Sequence, residues 1–161
     1  MPFKGSFILG PFSVDEEGRL SPAREDVSPG FNVRWRARVV HARLVRSDGQ
    51  FGYLFIHSHL GRVPSTASDP TTRAACLATL RGVLTSMPKA WAVRLRPDHQ
   101  PRLEVRTTVA LPITVTNLVT ELTVFLLMLS PYLELMDSAG VEVVAESSVP
   151  EQSGAAANEG T

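Results

Sequence analysis

The sequence predicts one α+β domain in which an antiparallel sheet of about five strands carries two helices on one face. Three observations lead to this prediction. Segments of alternating apolar and polar residues come in pairs separated by short turns, which is typical of antiparallel hairpins. Two longer segments, residues 70–87 and 114–136, carry apolar residues at helical spacing. A chain of 161 residues is long enough to bury one such core.

The predicted order of elements is β-β-β-α-β-β-α. The first segment, SFILGPFSVDEEGRLSP, is predicted to be a strand or a small hairpin around Glu17-Gly18. Residues 31–40, FNVRWRARVV, alternate so regularly that they predict one continuous strand. Asp48-Gly49 has the composition of a type I′ turn, and residues 51–60 form the returning strand.

The first helix is predicted to begin at Asp69-Pro70, because Asp is a good N-cap and Pro is tolerated at the first helical position. Pro88 ends it. A second hairpin follows, with its turn centred on His99. This centre would place Leu95 opposite Leu103, Val93 opposite Val105 and Arg94 opposite Glu104.

The last helix, about residues 114–136, is apolar nearly all round, and such a helix is buried on both sides. One side would cover the sheet. The other side would need a partner, and we predict that it forms a dimer or partner interface through Val124, Leu127, Met128 and Leu135. We predict a single domain over residues 1–146 and a disordered tail over residues 147–161, which are small and polar.

Composition points to a cytoplasmic protein. There is one cysteine, so no internal disulfide forms. The N-terminus has no cleavage-site pattern of a signal peptide, and the longest apolar run, residues 124–129, is far shorter than the roughly 20 residues that span a bilayer. We therefore expect no membrane partner. The net charge is zero, but residues 31–106 hold thirteen Lys or Arg against four Asp or Glu, a local excess of nine positive charges.

The stretch FIHSHL raises the question of a metal site, because His57 and His59 are two apart on a strand and point to the same face. With the turn centred on Asp48-Gly49, His57 would oppose Val40 and His59 would oppose Arg38, while His41 would face the other side. A metal needs three or four ligands, and this register offers two. We therefore predict no metal and no cofactor, and an anion-facing cluster instead. The predicted binding residues are Arg34, Arg36, Arg38, Tyr53, Phe55, His57 and His59.

Two alternatives to a plain protein-binding role follow from this cluster. A cationic strip with aromatic neighbours is typical of a sheet face that binds an anion or a single-stranded nucleic acid. The zero net charge and the lack of an RNA-recognition signature make nucleic acid the less favoured partner. The second alternative is a metal-dependent enzyme that uses His57 and His59.

Residues 102–136, RLEVRTTVALPITVTNLVTELTVFLLMLSPYLELM, resemble the closing pattern of the YbjN-like and type III secretion chaperone-like fold family. The shared pattern is a strand, an apolar-Pro turn, an Asn-Leu helix start and a long leucine-rich helix. The resemblance implies a cytoplasmic, dimeric protein-binding module without a cofactor. Our leading hypothesis rests on the apolar helix over residues 114–136 and on the absence of a reaction motif. It is a non-enzymatic, homodimeric binding module that is chaperone-like or regulatory.

Overall fold

The computed structural model describes residues 5–47 and 49–144 and confirms the predicted α+β class. Five strands form the main antiparallel sheet: β4 (Gly30–Trp35), β5 (Arg38–Arg46), β6 (Phe51–His59), β7 (Trp91–Leu95) and β8 (Pro101–Ala110), in the order β4-β5-β6-β8-β7. The first segment forms a separate three-stranded sheet of β1 (Phe7–Leu9), β2 (Phe12–Val14) and β3 (Leu20–Pro22). The predicted strand or small hairpin at the start is thus two successive hairpins.

Two helices, α1 (Pro70–Ser86) and α2 (Val115–Ser138), pack on one face of the main sheet. Trp35 Nε1 donates to Ser130 Oγ of α2 at 3.1 Å, and the ring of Trp91 lies 5.1 Å from that of Phe125. The two helices also meet each other, since Tyr132 Oη donates to the carbonyl of Ser86 at 3.0 Å. We call this covered side of the sheet the inner face.

The predicted single strand over residues 31–40 is wrong. Arg36 and Ala37 both adopt left-handed backbone conformations, with φ of 47° and 61°, and form a two-residue turn between β4 and β5. Trp35 therefore pairs with Arg38, and Val33 pairs with Val40. The turn was missed because it contains neither Gly nor Asn, the residues that usually occupy such turns. An arginine at the first inner position after the turn also preserved the apparent alternation.

The predicted register between β5 and β6 is wrong by one residue. Val40 pairs with Ser58, and His41 pairs with His57. A shift of one residue moves a whole strand to the opposite face relative to its partner. The amide of Ser47 donates to the carbonyl of Phe51 at 3.3 Å, so the connection is longer than a two-residue turn. Asp48 of the predicted turn lies outside the described residues.

The hairpin of β7 and β8 keeps its predicted faces but not its predicted pairs. Val93 pairs with Leu103, and Arg94 pairs with Arg102 instead of Glu104. The prediction is off by two residues, which preserves the face of every side chain. The turn closes between Arg96 and Gln100, whose backbone groups bond at 3.0 Å.

The first helix begins at its predicted cap, Asp69, and Thr114 caps the second helix in the same way. The carboxylate of Asp69 accepts from the amide of Thr72 at 2.9 Å, and the hydroxyl of Thr114 accepts from the amide of Asn117 at 3.2 Å. By length and composition alone, α2 could also cross a membrane, with 24 residues and a mean hydropathy of 1.5. In this fold seven of its residues are buried, six of them in the hydrophobic core. The predicted tail, residues 147–161, lies outside the described residues.

Candidate binding face on the uncovered side of the sheet

The side of the main sheet opposite α1 and α2 is covered by no described helix. Every described side chain that points to it keeps some exposure to solvent. We call this surface the open face. Its polar and aromatic residues are Asn32 and Arg34 of β4, His41 and Arg43 of β5, Phe51, Tyr53, Phe55, His57 and His59 of β6, Arg94 of β7, and Arg102, Glu104, Arg106 and Thr108 of β8.

The open face is strongly cationic. It carries five arginines and, within the described residues, one carboxylate. That carboxylate is already engaged, since Oε1 of Glu104 lies 3.2 Å from Nε of Arg102. No ion pair joins the other four arginines to an acid anywhere in residues 5–47 and 49–144. Uncompensated charge on one surface attracts and orients an anionic partner.

Aromatic rings lie along β6, in the middle of these arginines. The guanidinium carbon of Arg106 sits 3.6 Å from the ring centroid of Tyr53, which is a cation–π contact. The rings of His41 and His57 stack at 4.7 Å with 18° between their planes, and Phe55 lies 5.7 Å from His57. The centre of the face is thus a group of flat rings, and arginines surround it.

His57 lies at the centre of this group of rings, and its pKa is lowered. Burial lowers its pKa to about 4, and the positive charge of Arg102 acts in the same direction, followed by His41, His59 and Arg43. Its Nδ1 atom is buried and has no hydrogen-bond partner among the described residues. At neutral pH the ring is therefore uncharged, and it acts as a flat, weakly polar surface.

Five of the seven predicted binding residues lie on the open face, and two do not. Arg34, Tyr53, Phe55, His57 and His59 share it, as expected from their alternation. Arg36 lies in the β4–β5 turn, where Nη2 meets Oε1 of Glu134 at 2.8 Å.

Arg38 is a structural residue of the inner face. Its side chain is 3% exposed, and its Nε donates to the carbonyl of Leu60 at 2.8 Å. Its guanidinium also bonds to the carbonyl of Arg36 and to the carboxylate of Asp137 on α2. These bonds tie the β4–β5 turn to the last turns of α2, so Arg38 is unavailable to a ligand.

The sequence interpretation missed six charged or histidine residues of the open face, namely His41, Arg43, Arg94, Arg102, Glu104 and Arg106. The error in the β5–β6 register placed His41 and Arg43 on the wrong side. The arginines of β8 and β7 were missed because the sequence pattern does not reveal that β8 pairs with β6, which sets Arg106 opposite Phe55. Glu104, which pairs with His57, was missed for the same reason.

The metal-dependent alternative would need at least one more ligand close to His57 and His59. Within the described part of the chain, no group of three or more His, Cys, Asp or Glu is placed to hold a metal ion. Arg43 and Arg102 lie near the His41–His57 pair, and their positive charges disfavour the binding of a cation there.

The predicted interface residues of α2 all point away from the core. Val124, Leu127, Met128 and Leu135 are exposed by 49%, 60%, 45% and 52% respectively. Glu121, Glu134 and Asp137 are also exposed on this helix, which has no basic residue. The surface of α2 is therefore apolar and acidic, in contrast to the open face.

The fold and its open face define a small α+β protein with a cationic, uncovered antiparallel sheet. Comparison of the chain with protein-family models, curated proteins and solved structures returned no significant match. The predicted resemblance to the YbjN-like family therefore stays a prediction, and the functional argument rests on geometry.

Proposed function

We propose that this protein is a non-enzymatic binding module that recognises a polyanionic partner through the open face. The observation that carries the proposal is the imbalance of five arginines against one ion-paired carboxylate on an uncovered sheet. A folded domain gains no packing from such an arrangement, and like charges on one surface repel one another. A bound anion removes that repulsion.

The row of residues across the middle of the sheet is the best-placed contact point. Arg43, Phe55 and Arg106 occupy adjacent positions on β5, β6 and β8. With strands about 4.8 Å apart, the two arginine backbones lie about 10 Å from each other. Both arginines are exposed, so their guanidinium groups can reach a ligand without rearrangement of the core.

Inorganic polyphosphate, which carries charge and no other recognition feature, tests this proposal. We expect binding that weakens steeply between about 50 and 200 mM salt, because counterions are released on binding. The double variant Arg43→Ala/Arg106→Ala should weaken binding about tenfold and flatten the salt dependence. Fluorescence competition or calorimetry measures both.

A matched control removes two positive charges elsewhere. Arg81 on α1 and Lys89 after it are exposed and lie outside the open face. The variant Arg81→Ala/Lys89→Ala should bind polyphosphate within about twofold of the unaltered protein, since distant charges are screened. Equal losses in both double variants would contradict a specific role for the open face.

A second candidate role, binding to another copy of this chain, is supported by the exposed apolar residues of α2. We propose that Val124, Leu127, Met128 and Leu135 form the homodimer interface expected from the sequence. Val124 lies three residues before Leu127 and four before Met128, and Leu135 follows Met128 by two helical turns. The four residues therefore share one face of α2, as residues that pack against another helix do.

Light scattering after size exclusion tests the homodimer. We expect a dimer at micromolar concentration and a monomer for Leu127→Glu, because a buried unpaired carboxylate is costly. The control Thr123→Glu places the same charge at a neighbouring exposed position of α2. A monomer at every concentration of the unaltered protein would remove this second role.

A further inference from the structure

We infer that the polyanion bound by the open face is a single-stranded nucleic acid, whose bases stack on the rings of β6 while its phosphates meet the surrounding arginines. This inference rests on the proposed function and adds the chemical class of the ligand.

The rings of the open face carry the inference, because a purely anionic ligand would not need them. Tyr53, Phe55 and His57 stand at alternate positions of β6, the central strand of the sheet, and keep part of their surface exposed. Half-exposed aromatic side chains in the centre of a charged surface are costly to hydrate. In a nucleic acid each phosphate is accompanied by a planar base, and every base has a face that can stack on an aromatic ring.

The placement of charge relative to these rings fits a strand of alternating bases and phosphates. Arg43 and Arg106 flank Phe55 on its two sides, and Arg102 lies on β8 next to His59. Arg94 extends the positive charge to β7. Arginines therefore lie on both sides of the rings of β6, and exposed rings on a sheet surface are typical of sheet platforms that bind single strands.

The neutrality of His57 at physiological pH agrees with a stacking role. Burial and the neighbouring charge of Arg102 hold its pKa at about 4. The ring is therefore neutral and does not bind water as strongly as a cation would. Its plane is nearly parallel to that of His41, at 18°, which shows that flat rings can stack across β5 and β6.

The geometry favours unpaired bases over a duplex. In a duplex the faces of the bases are already stacked on each other, and only their edges reach the grooves. The aromatic residues of the open face lie on β6, within the sheet. They are not carried by a projecting helix or loop that could enter a groove. Such a surface can reach base faces only in a single strand.

Three probes of equal phosphate count separate charge from stacking. They are a fluorescent oligothymidylate of about 12 nucleotides, an abasic strand of the same length and polyphosphate of matched length. We expect the oligothymidylate to bind at least about tenfold more tightly than the abasic strand, since stacking one base or more accounts for a factor of this size. An oligouridylate arm tests whether the sugar matters, and base-dependent binding of either strand supports the inference.

Two variants assign the effect to the open face. Phe55→Ala should lower affinity for oligothymidylate about tenfold and leave affinity for the abasic strand within about twofold. Arg43→Ala/Arg106→Ala should weaken both probes and reduce the salt slope on the single strand by about 1.4, or about 0.7 for each phosphate that is no longer neutralised. Thermal unfolding of each variant verifies that it is folded at the assay temperature, and Phe55→Leu, which keeps an apolar side chain, serves if Phe55→Ala unfolds.

The outcomes distinguish the two proposals. If all three polyanions bind with equal affinity, or if a duplex of the same length or polyglutamate binds as tightly as the single strand, the inference is overturned while the proposed function stands. If no polyanion binds at low salt, both are overturned. Selective binding of the oligonucleotide that is abolished in Phe55→Ala supports both.

Discussion

The two faces of the main sheet come from the same five strands, yet they carry different chemistry. The inner face places Val40, Leu54, Ile56 and Leu103 under the helices, each at most 2% exposed. The buried arginine of this face, Arg38, is held by three partners. The open face places arginines, histidines and aromatic rings in solvent, and only one of its arginines has an acidic partner in the described chain.

This difference separates residues that maintain the fold from residues that are free to bind. Alternation along one strand puts Leu54 and Phe55 on opposite faces, one residue apart. Substitutions on the inner face should therefore affect stability, and substitutions on the open face should affect binding. Three comparisons test this division.

The largest expected effect comes from neighbouring residues of β6. Leu54→Ala should lower the free energy of unfolding by about 3 kcal/mol, because Leu54 is fully buried and its removal leaves a cavity. Phe55→Ala should cost about 1 kcal/mol, since Phe55 is only partly buried. Urea unfolding followed by the fluorescence of Trp35 and Trp91, both packed against α2, measures both. Equal losses of unfolding free energy in the two variants would contradict the distinction between the faces.

The next comparison uses one arginine from each face. Arg38→Met should cost about 2 kcal/mol, because the buried carbonyl of Leu60 loses its donor and Asp137 loses its partner. Arg106→Met should change stability by less than about 0.5 kcal/mol, as is usual for an exposed position. The same unfolding assay applies, and a destabilised Arg106→Met would mean that the open face also supports the fold.

The smallest effect concerns the pH dependence of stability. The pKa of His57 is about 4 in the folded protein and 6.5 in the unfolded chain, so lowering the pH protonates the unfolded state first. Stability is therefore full above about pH 6.5 and falls as the pH drops towards about 4. The loss should reach about 1 kcal/mol, given the partial exposure of the ring.

The variant His57→Phe isolates this contribution. It keeps a flat ring and removes the titrating group, so its stability should fall less than that of the unaltered protein between about pH 6.5 and 4.5. Unfolding in urea at several pH values gives the difference. If the two pH profiles are parallel, His57 is not protected from protonation by the fold.

The sequence predicted the fold class and the helices well because their signals are local. Asp69 caps α1 as predicted, and apolar residues at helical spacing marked the extent of both helices. The face of each residue in the β7–β8 hairpin was also correct, although its pairs were wrong. Each of these features depends on residues that lie close together in the chain.

The candidate site was only partly predictable, because it depends on registers that a single residue can shift. The left-handed turn at Arg36-Ala37 has no turn-forming residue, so Arg38 was placed with the ligand-facing arginines when it is buried. Arg102 and Arg106 belong to the site because β8 pairs with β6. These two strands are separated in sequence by α1 and β7. No local pattern encodes such a pairing.

Backbone amide shifts recorded while polyphosphate is added test the central claim most directly. The account predicts that the largest shifts fall on the open-face residues Arg43, Phe55, His57 and Arg106, while residues of α1 and α2 remain unchanged. Shifts centred on Arg81, Lys89 or the surface of α2 would contradict it, as would the absence of any shift at low salt.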